Sequence, residues 1–121
     1  RKRKMGQWVA VLKVDGSVEY LELAELNSYH ALGEAIGGKR IDAFRPYHLT
    51  YQDQQVFIGV DSDACLKKLL KNECVSSLYH STIFGDVVLL LENPVNFKLS
   101  GFLSKEDAEQ FSHFVLSACV N

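Results

Sequence analysis

The chain has little of what marks a specialised class of protein. Its 121 residues include only two prolines and eight glycines, a composition that leaves little scope for disorder. No apolar run approaches the roughly 18 residues needed to span a bilayer, and the longest, residues 87–91, has the length of a strand. A basic excess is also missing, since the net charge is −2. This balance argues against a dedicated nucleic-acid-binding protein.

Cysteines are few and odd in number. Cys65, Cys74 and Cys119 follow no recognisable secretory leader. Three cysteines without a leader indicate a reducing compartment, with the thiols buried as small apolar groups. We therefore predict an intracellular, cytoplasmic protein. The basic residues 1–4 before Met5 are interpreted as a disordered tail or an expression remnant. A nuclear-import tail, and hence a nuclear location, is the alternative.

Phosphate-binding and metal-binding motifs are missing too. Gly33, Gly37 and Gly38 follow a predicted helix instead of preceding one, whereas phosphates bind at helix N-termini. The sequence has no Cys-x-x-Cys or His-x-x-x-His spacing. We predict no cofactor and no metal.

A cysteine nucleophile with a histidine base is the remaining catalytic option. Cys74 lies near His80 in sequence, and His113 precedes Cys119 by six residues, but neither spacing places the pair on one helical face. The pattern favours structural cysteines, and an enzyme centred on cysteine or histidine stays a minor alternative.

Hydrophobic periodicity predicts three units of two strands and a helix. The first unit has strands over residues 7–14 and 17–23, joined at Asp15-Gly16 by a tight type I′ turn. Its helix begins after Asn27 or Ser28 and ends at Gly37-Gly38.

The second and third units repeat this order. Strands are predicted at residues 40–47 and 55–60, followed by a helix from Asp61 or Ser62 that buries Leu66, Leu69 and Leu70. Residues 86–91, apolar from Val87, predict a central strand, residues 97–103 a further strand, and Ser104 caps the last helix.

We therefore predict an α+β fold of order ββα-ββα-ββα. Its mainly antiparallel sheet has about six strands, with two or three helices on one face. Residues 6–121 form one domain, preceded by a tail at residues 1–5.

The most suggestive stretch for binding is residues 39–48. It alternates cationic side chains with aromatic rings, a combination that is suited to stacking on nucleic-acid bases or binding phosphate. The residues concerned are Lys39, Arg40, Arg45, Tyr47 and His48. The alternative is an edge strand protected by charge, which Pro46 supports because it cannot donate a ladder hydrogen bond.

Lys67, Lys68 and Lys71 form a second basic cluster on one face of the predicted second helix. A solvated helix face explains this cluster, and it becomes part of a binding surface if the helix packs near residues 40–45.

Residues 85–90, Gly-Asp-Val-Val-Leu-Leu, precede a turn, a strand and the sequence Leu-Ser-Lys-Glu-Asp-Ala at residues 103–108. This pattern resembles small uncharacterised α+β proteins of phages and mobile elements, over residues 30–115. The long connection at residues 75–84 departs from it. The resemblance implies a small accessory or host-interacting protein, and it supplies no catalytic residues.

The leading hypothesis is a non-enzymatic protein-interaction domain that binds another protein, or a second copy of itself, through a strand edge or sheet face as an accessory or regulatory module. The alternatives are a nucleic-acid-associated module and a small enzyme. The predicted partners are another protein or a second copy, with nucleic acid as the alternative and no membrane.

Overall fold

The computed structural model describes residues 6–79 and 81–119. The predicted tail at residues 1–5 lies outside the described residues. Within them, seven strands and three helices follow one another. They are β1 (Gln7–Leu12), β2 (Val18–Leu23), α1 (Tyr29–Ala35), β3 (Ile41–Phe44), β4 (Thr50–Tyr51), β5 (Gln54–Asp61), α2 (Glu73–Ser76), β6 (Val87–Glu92), β7 (Leu99–Ser100) and α3 (Lys105–Cys119).

The strands form one antiparallel sheet in the order β2-β1-β6-β5-β3, with β4 paired to β5 and β7 to β6. The predicted α+β fold is confirmed, and the short strand β4 is the addition to the predicted order. All six residues of β6 are buried, which confirms its predicted central position.

The helices are divided between the two faces of the sheet. On one face α3 packs Ala108, Phe111 and Val115 into the larger core, and α2 adds Val75 beside them. On the other face α1 places Leu32 over Phe57 and its neighbours. Two helices therefore share a face, as predicted, and α1 covers the opposite one.

The first hairpin forms where predicted, but its turn is of another kind. Lys13 N–H donates to Ser17 O, and Gly16 N–H donates to Lys13 O. Gly16 has a φ of 90°, while Asp15 is not among the residues of positive φ. This is a type I turn closed by a left-handed glycine. The two-residue turn with positive φ at both positions lies at Gln52-Asp53 instead, between β4 and β5.

Helix α1 begins and ends as its sequence predicts. The Ser28 side chain accepts a hydrogen bond from Ala31 N–H at 3.4 Å. At the other end Gly38 N–H donates to Gly33 O, and Gly37 has a φ of 78°. This pair of features is a Schellman motif, which needs a residue free to adopt the left-handed conformation.

The predicted second helix is wrong. Residues 62–68 form a series of turns, and the short helix α2 begins only after Asn72. Lys68 has a φ of 59°, which no α-helix contains. Leu66 and Leu70, predicted to be buried, are 82% and 73% exposed. Asp61 ends β5 instead of capping a helix: its side chain accepts from Asp63 N–H and Lys67 Nζ, which holds the turns against the strand.

The third unit departs from prediction in one strand. Residues 97–103 form only the two-residue strand β7, followed by an isolated bridge between Phe102 and Trp8. Ser104 caps α3 as predicted, because its Oγ accepts from Asp107 N–H at 3.1 Å.

Candidate functional site

The fold places the predicted basic residues at two ends of β3. Lys39 and Arg40 precede the strand, and Lys67 joins them there because its Nζ donates to Gly37 O at 3.1 Å. Arg45, with Tyr47 and His48, follows the other end of the strand. The two predicted clusters therefore come together only at the first end, and Arg45 lies apart from them at the other end of β3.

Arg45 is held by a carboxylate. Its Nε and Nη2 donate to the two oxygens of Glu92 at 2.6 and 2.9 Å, and its guanidinium lies 5.3 Å from the centre of the Phe57 ring. Hydrogen bonds to Glu92 raise the pKa of Arg45 against the opposing effect of burial. The Glu92 side chain is only 5% exposed. The pair thus joins the end of β3 to the central strand β6, and the Glu92 carboxylate neutralises the positive charge of Arg45.

Three other predicted cations also contact carboxylates. The shortest nitrogen–oxygen distance is 3.2 Å between Arg40 and Asp63, 2.6 Å between Lys67 and Asp61, and 3.2 Å between Lys71 and Glu73. These contacts reduce the positive charge that the clusters could offer to a phosphate.

The Asp61 carboxylate is the buried member of its pair. Burial alone would raise the pKa of Asp61, but the hydrogen bonds from Lys67 and from Asp63 N–H outweigh it and lower that pKa below its ordinary value. The charged form of Asp61 is therefore the one that ties residues 62–68 to the end of β5.

Tyr47 and His48 lie beyond the end of β3. Tyr47 is 85% exposed, and its ring centre is 3.7 Å from that of His48 at an angle of 46°. The two rings are thus a surface pair. Neither residue is in a strand, although a strand was predicted as far as Tyr47.

Two of the three cysteines are paired with each other. Cys74 in α2 and Cys119 at the end of α3 form a disulfide, with Cα atoms 5.2 Å apart. Cys65, predicted to be a core thiol, is free and exposed. The prediction of three buried thiols is therefore wrong. His113 is exposed, and His80 lies outside the described residues.

A groove that the sequence analysis missed lies between β2 and α1. Its volume is about 460 Å³. Its apolar wall comes from Leu21, Leu23, Ala31 and Ala35, and three glutamate residues are also among its lining. We call it the acidic groove and define it by these apolar residues with Ala24, Glu22, Glu25 and Glu34. None of the described residues that line it is a lysine or arginine.

The strand beside this groove is the end of the sheet. Trp8 of β1 exchanges both backbone hydrogen bonds with Phe102, at 2.7 and 2.8 Å. Its partner in β2, Glu22, therefore turns its own N–H and C=O away from β1. The alternation of an antiparallel ladder gives Tyr20 and Val18 the same outward direction. Among residues 6–79 and 81–119, no other strand pairs with this outer edge.

The sequence did contain a signal for this surface. Residues 14–38 include five acidic side chains, Asp15, Glu19, Glu22, Glu25 and Glu34, and no lysine or arginine. The near-neutral net charge of the whole chain hides this segregation. A charge count by segment would have found it.

In the part of the chain that the structure describes, no helix is long and apolar enough to cross a membrane. No three histidine, cysteine, aspartate or glutamate side chains of the described residues gather as metal ligands would.

Comparisons with models of protein families, with curated proteins and with solved structures find no match for this chain.

Proposed function

We propose that this chain is a non-enzymatic protein-interaction domain that captures an extended segment of a partner along β2 and in the acidic groove. It would act as an accessory or regulatory module. The observation that carries the proposal is the position of β2, an end strand with outward backbone groups beside an apolar groove. An extended peptide adds to such an edge by main-chain hydrogen bonds, while neighbouring pockets select its side chains.

The chemistry of the groove specifies a basic and apolar partner. Leu21 and Leu23 of β2 are partly buried and face the side that α1 covers. Side chains of an added strand alternate between the two faces, so every second one would meet this apolar wall. Glu25 and Glu34 at the border favour lysine or arginine in the same segment.

Pairing of β2 with the β2 of a second copy is disfavoured. The strand and the two residues after it, residues 18–25, carry Glu19, Glu22 and Glu25 and no cation. An antiparallel pair of two such strands brings like charges together, which is destabilising. The same acidic edge protects the free protein from unwanted strand pairing.

Binding of synthetic peptides tests the proposal. A short peptide of alternating lysine and leucine is expected to shift the backbone amide NMR signals of Val18, Tyr20 and Glu22. The matched glutamate–leucine peptide is expected to leave them unchanged. A response of residues 66–71 in place of β2 would contradict the proposal.

Proline at the first residue of β2 tests main-chain pairing without a change of charge. The Val18 N–H points outward, so Val18→Pro removes no hydrogen bond to β1. Val18→Ala is the control that also loses the valine side chain and keeps the N–H. The proline variant is expected to bind the lysine–leucine peptide at least about ten-fold more weakly than the alanine variant, a loss of about 1.4 kcal/mol. Equal affinities would show that β2 accepts no added strand.

Neither alternative function is carried into the proposal. The nucleic-acid alternative rests on cations of which Arg40, Arg45, Lys67 and Lys71 now have carboxylate partners. The cysteine-centred enzyme rests on thiols of which only Cys65 is free.

The origin and location of the chain remain proposals of the same kind. Its resemblance to small phage and mobile-element proteins supports an accessory role. The predicted intracellular location loses part of its basis, because disulfides such as Cys74–Cys119 persist mainly in oxidising compartments. Alkylation of the protein in intact cells would report the redox state of this pair: free thiols support the intracellular location.

A further inference from the structure

A second exposed surface has the chemistry that the acidic groove requires. Residues 66–71 read Leu-Lys-Lys-Leu-Leu-Lys, and we call them the basic loop. Leu66 and Leu70 are 82% and 73% exposed. Lys68 forms no ion pair with the described residues. Leucines surrounded by lysines on a surface are typical of a binding site for an acidic, partly apolar partner.

The basic loop is fixed in this exposed position. Lys67 Nζ lies 2.6 Å from the buried carboxylate of Asp61, and Gly85 N–H donates to Leu70 O at 2.8 Å. Leu69 turns inward and lines a cavity of about 270 Å³ with Val14 and Ile36 among its neighbours. These contacts lie on both sides of Lys68 and directly after Leu66, and they hold the two side chains outward. Less conformational entropy is lost when a partner binds a surface prepared in this way.

We propose that the acidic groove of one molecule binds the basic loop of a second copy of this chain. The proposal rests on the function proposed for the groove and names its occupant. The groove offers Glu25 and Glu34 around leucines and alanines. The loop offers Lys68 between exposed leucines. The charges of the two surfaces are therefore opposite, and each surface has apolar area that the other can cover.

The positions of the two surfaces favour a closed dimer. Ala35 lines the groove, and the next residue, Ile36, lines the cavity beside the basic loop. Lys67 also reaches Gly37 O, so the loop and the groove flank the same end of α1. With the two surfaces so close, one two-fold axis near this helix end lets each copy place its loop in the groove of the other. Such a reciprocal arrangement closes, whereas one-way contacts generate rings or filaments.

Charge reversal tests the contact. Sedimentation of the wild-type chain over a range of concentrations is expected to show a monomer–dimer equilibrium that weakens with salt. Lys68→Glu and Glu34→Lys are each expected to raise the dimer dissociation constant at least about ten-fold, because each contact then faces like charges. An equimolar mixture of the two variants, and the double variant, are expected to return to within about three-fold of wild type.

Two control variants isolate the surfaces. Lys98→Glu makes the same charge change on an exposed lysine outside both surfaces and is expected to leave the dimer unchanged. Leu66→Ser is expected to weaken the dimer. Leu103→Ser changes a leucine of nearly equal exposure (80%) and is expected to leave the dimer unchanged.

Three outcomes would overturn the inference. The wild-type chain could be a monomer at the highest concentration reached, its dimer dissociation constant could be unchanged by both charge reversals, or the mixture of the two variants could fail to dimerise. Binding of the lysine–leucine peptide distinguishes a failure to dimerise from a failure of the acidic groove to bind any partner. Lys68→Glu should still bind that peptide through β2, whereas Glu34→Lys should bind it less well. Peptide binding without dimerisation contradicts the self-association alone, and loss of both contradicts the proposed function as well.

Discussion

At the scale of single residues, Arg45 and Lys67 each neutralise a buried carboxylate, that of Glu92 and that of Asp61. Glu92 lies in the central strand with 5% of its side chain exposed, and Arg45 meets it with two hydrogen bonds. A buried carboxylate without a partner is costly, so such pairs are maintained by the fold. The sequence shows Arg45 as a free cation because its partner is 47 positions away.

Removal of Arg45 should therefore destabilise the protein. Arg45→Ala is expected to lower the free energy of unfolding by about 3 kcal/mol, because Glu92 stays buried without its partner. Arg45→Lys should cost less, since it keeps the charge and loses the two-bond geometry. Urea denaturation measures both variants. Lys39→Ala, at an exposed position, is the control and should change that free energy by less than about 0.5 kcal/mol. Equal losses at positions 39 and 45 would refute this role.

Asp61 gives a prediction that depends on pH. Asp61→Asn is expected to lower the free energy of unfolding by about 2 kcal/mol at neutral pH. Since the pKa of Asp61 is below its ordinary value of 3.8 in the fold, its contribution is present above pH 3.8 and is lost as pH falls through the folded pKa.

The difference between wild type and Asp61→Asn should therefore shrink between about pH 5 and pH 2. Denaturation at a series of pH values measures it, and Asp42→Asn, at an exposed carboxylate, serves as control. A difference that grows on acidification would contradict the assignment.

At the scale of elements, residues 62–70 show tertiary contacts overriding helical periodicity. Leu66, Leu69 and Leu70 have the spacing of an amphipathic helix. The segment instead forms turns held by the Asp61 carboxylate, and Lys68 takes a left-handed conformation. Only Leu69 turns inward, toward Gly85.

Two substitutions at Lys68 distinguish a turn from a helix, because the glycine variant is the more stable of the two in a turn and the alanine variant is the more stable in a helix. In the left-handed conformation glycine lacks the steric penalty of alanine, so Lys68→Gly should be more stable than Lys68→Ala by about 1 kcal/mol. In a helix the order would be reversed by a similar amount. Thermal or urea unfolding of the two variants decides between them, and greater stability of the alanine variant would contradict the turn.

At the scale of the whole molecule, a disulfide joins the two helices on one face of the sheet. Cys74 in α2 and Cys119 at the end of α3 are 45 residues apart in sequence. Ser77 Oγ adds a hydrogen bond to Cys119 O at 2.9 Å. The end of the longest helix is thereby fixed to the chain that leads into the central strand β6.

Loss of this bond should destabilise the whole domain. Reduction, or Cys119→Ser, is expected to lower the free energy of unfolding by about 2–4 kcal/mol, because the open chain gains conformational entropy when unfolded. Cys65→Ser, at the exposed free cysteine, should change little. Unfolding with and without reductant tests this, and thiol counting on the denatured protein should find one free thiol per chain. Equal stability of the oxidised and reduced protein would contradict it.

The candidate site was only partly predictable. The basic residues were identified, but their carboxylate partners were not, because Arg45–Glu92 and Arg40–Asp63 join positions 47 and 23 residues apart. The acidic groove needs both β2 and α1, and no single periodicity describes it. Its charge, however, was visible in the absence of any lysine or arginine from residues 14–38.

Local sequence by itself determined the features that depend on neighbouring residues: the first hairpin, the caps at Ser28 and Ser104, the helix end at Gly37, and the central strand β6, which is apolar from Val87 to Leu91. Turns and caps form from hydrogen bonds within a few positions, so their signals are short. The tertiary structure alone decided which face each helix covers, how cysteines and cations pair, and that residues 62–70 are not helical. These outcomes depend on contacts between distant segments, whose energies outweigh the small local preferences.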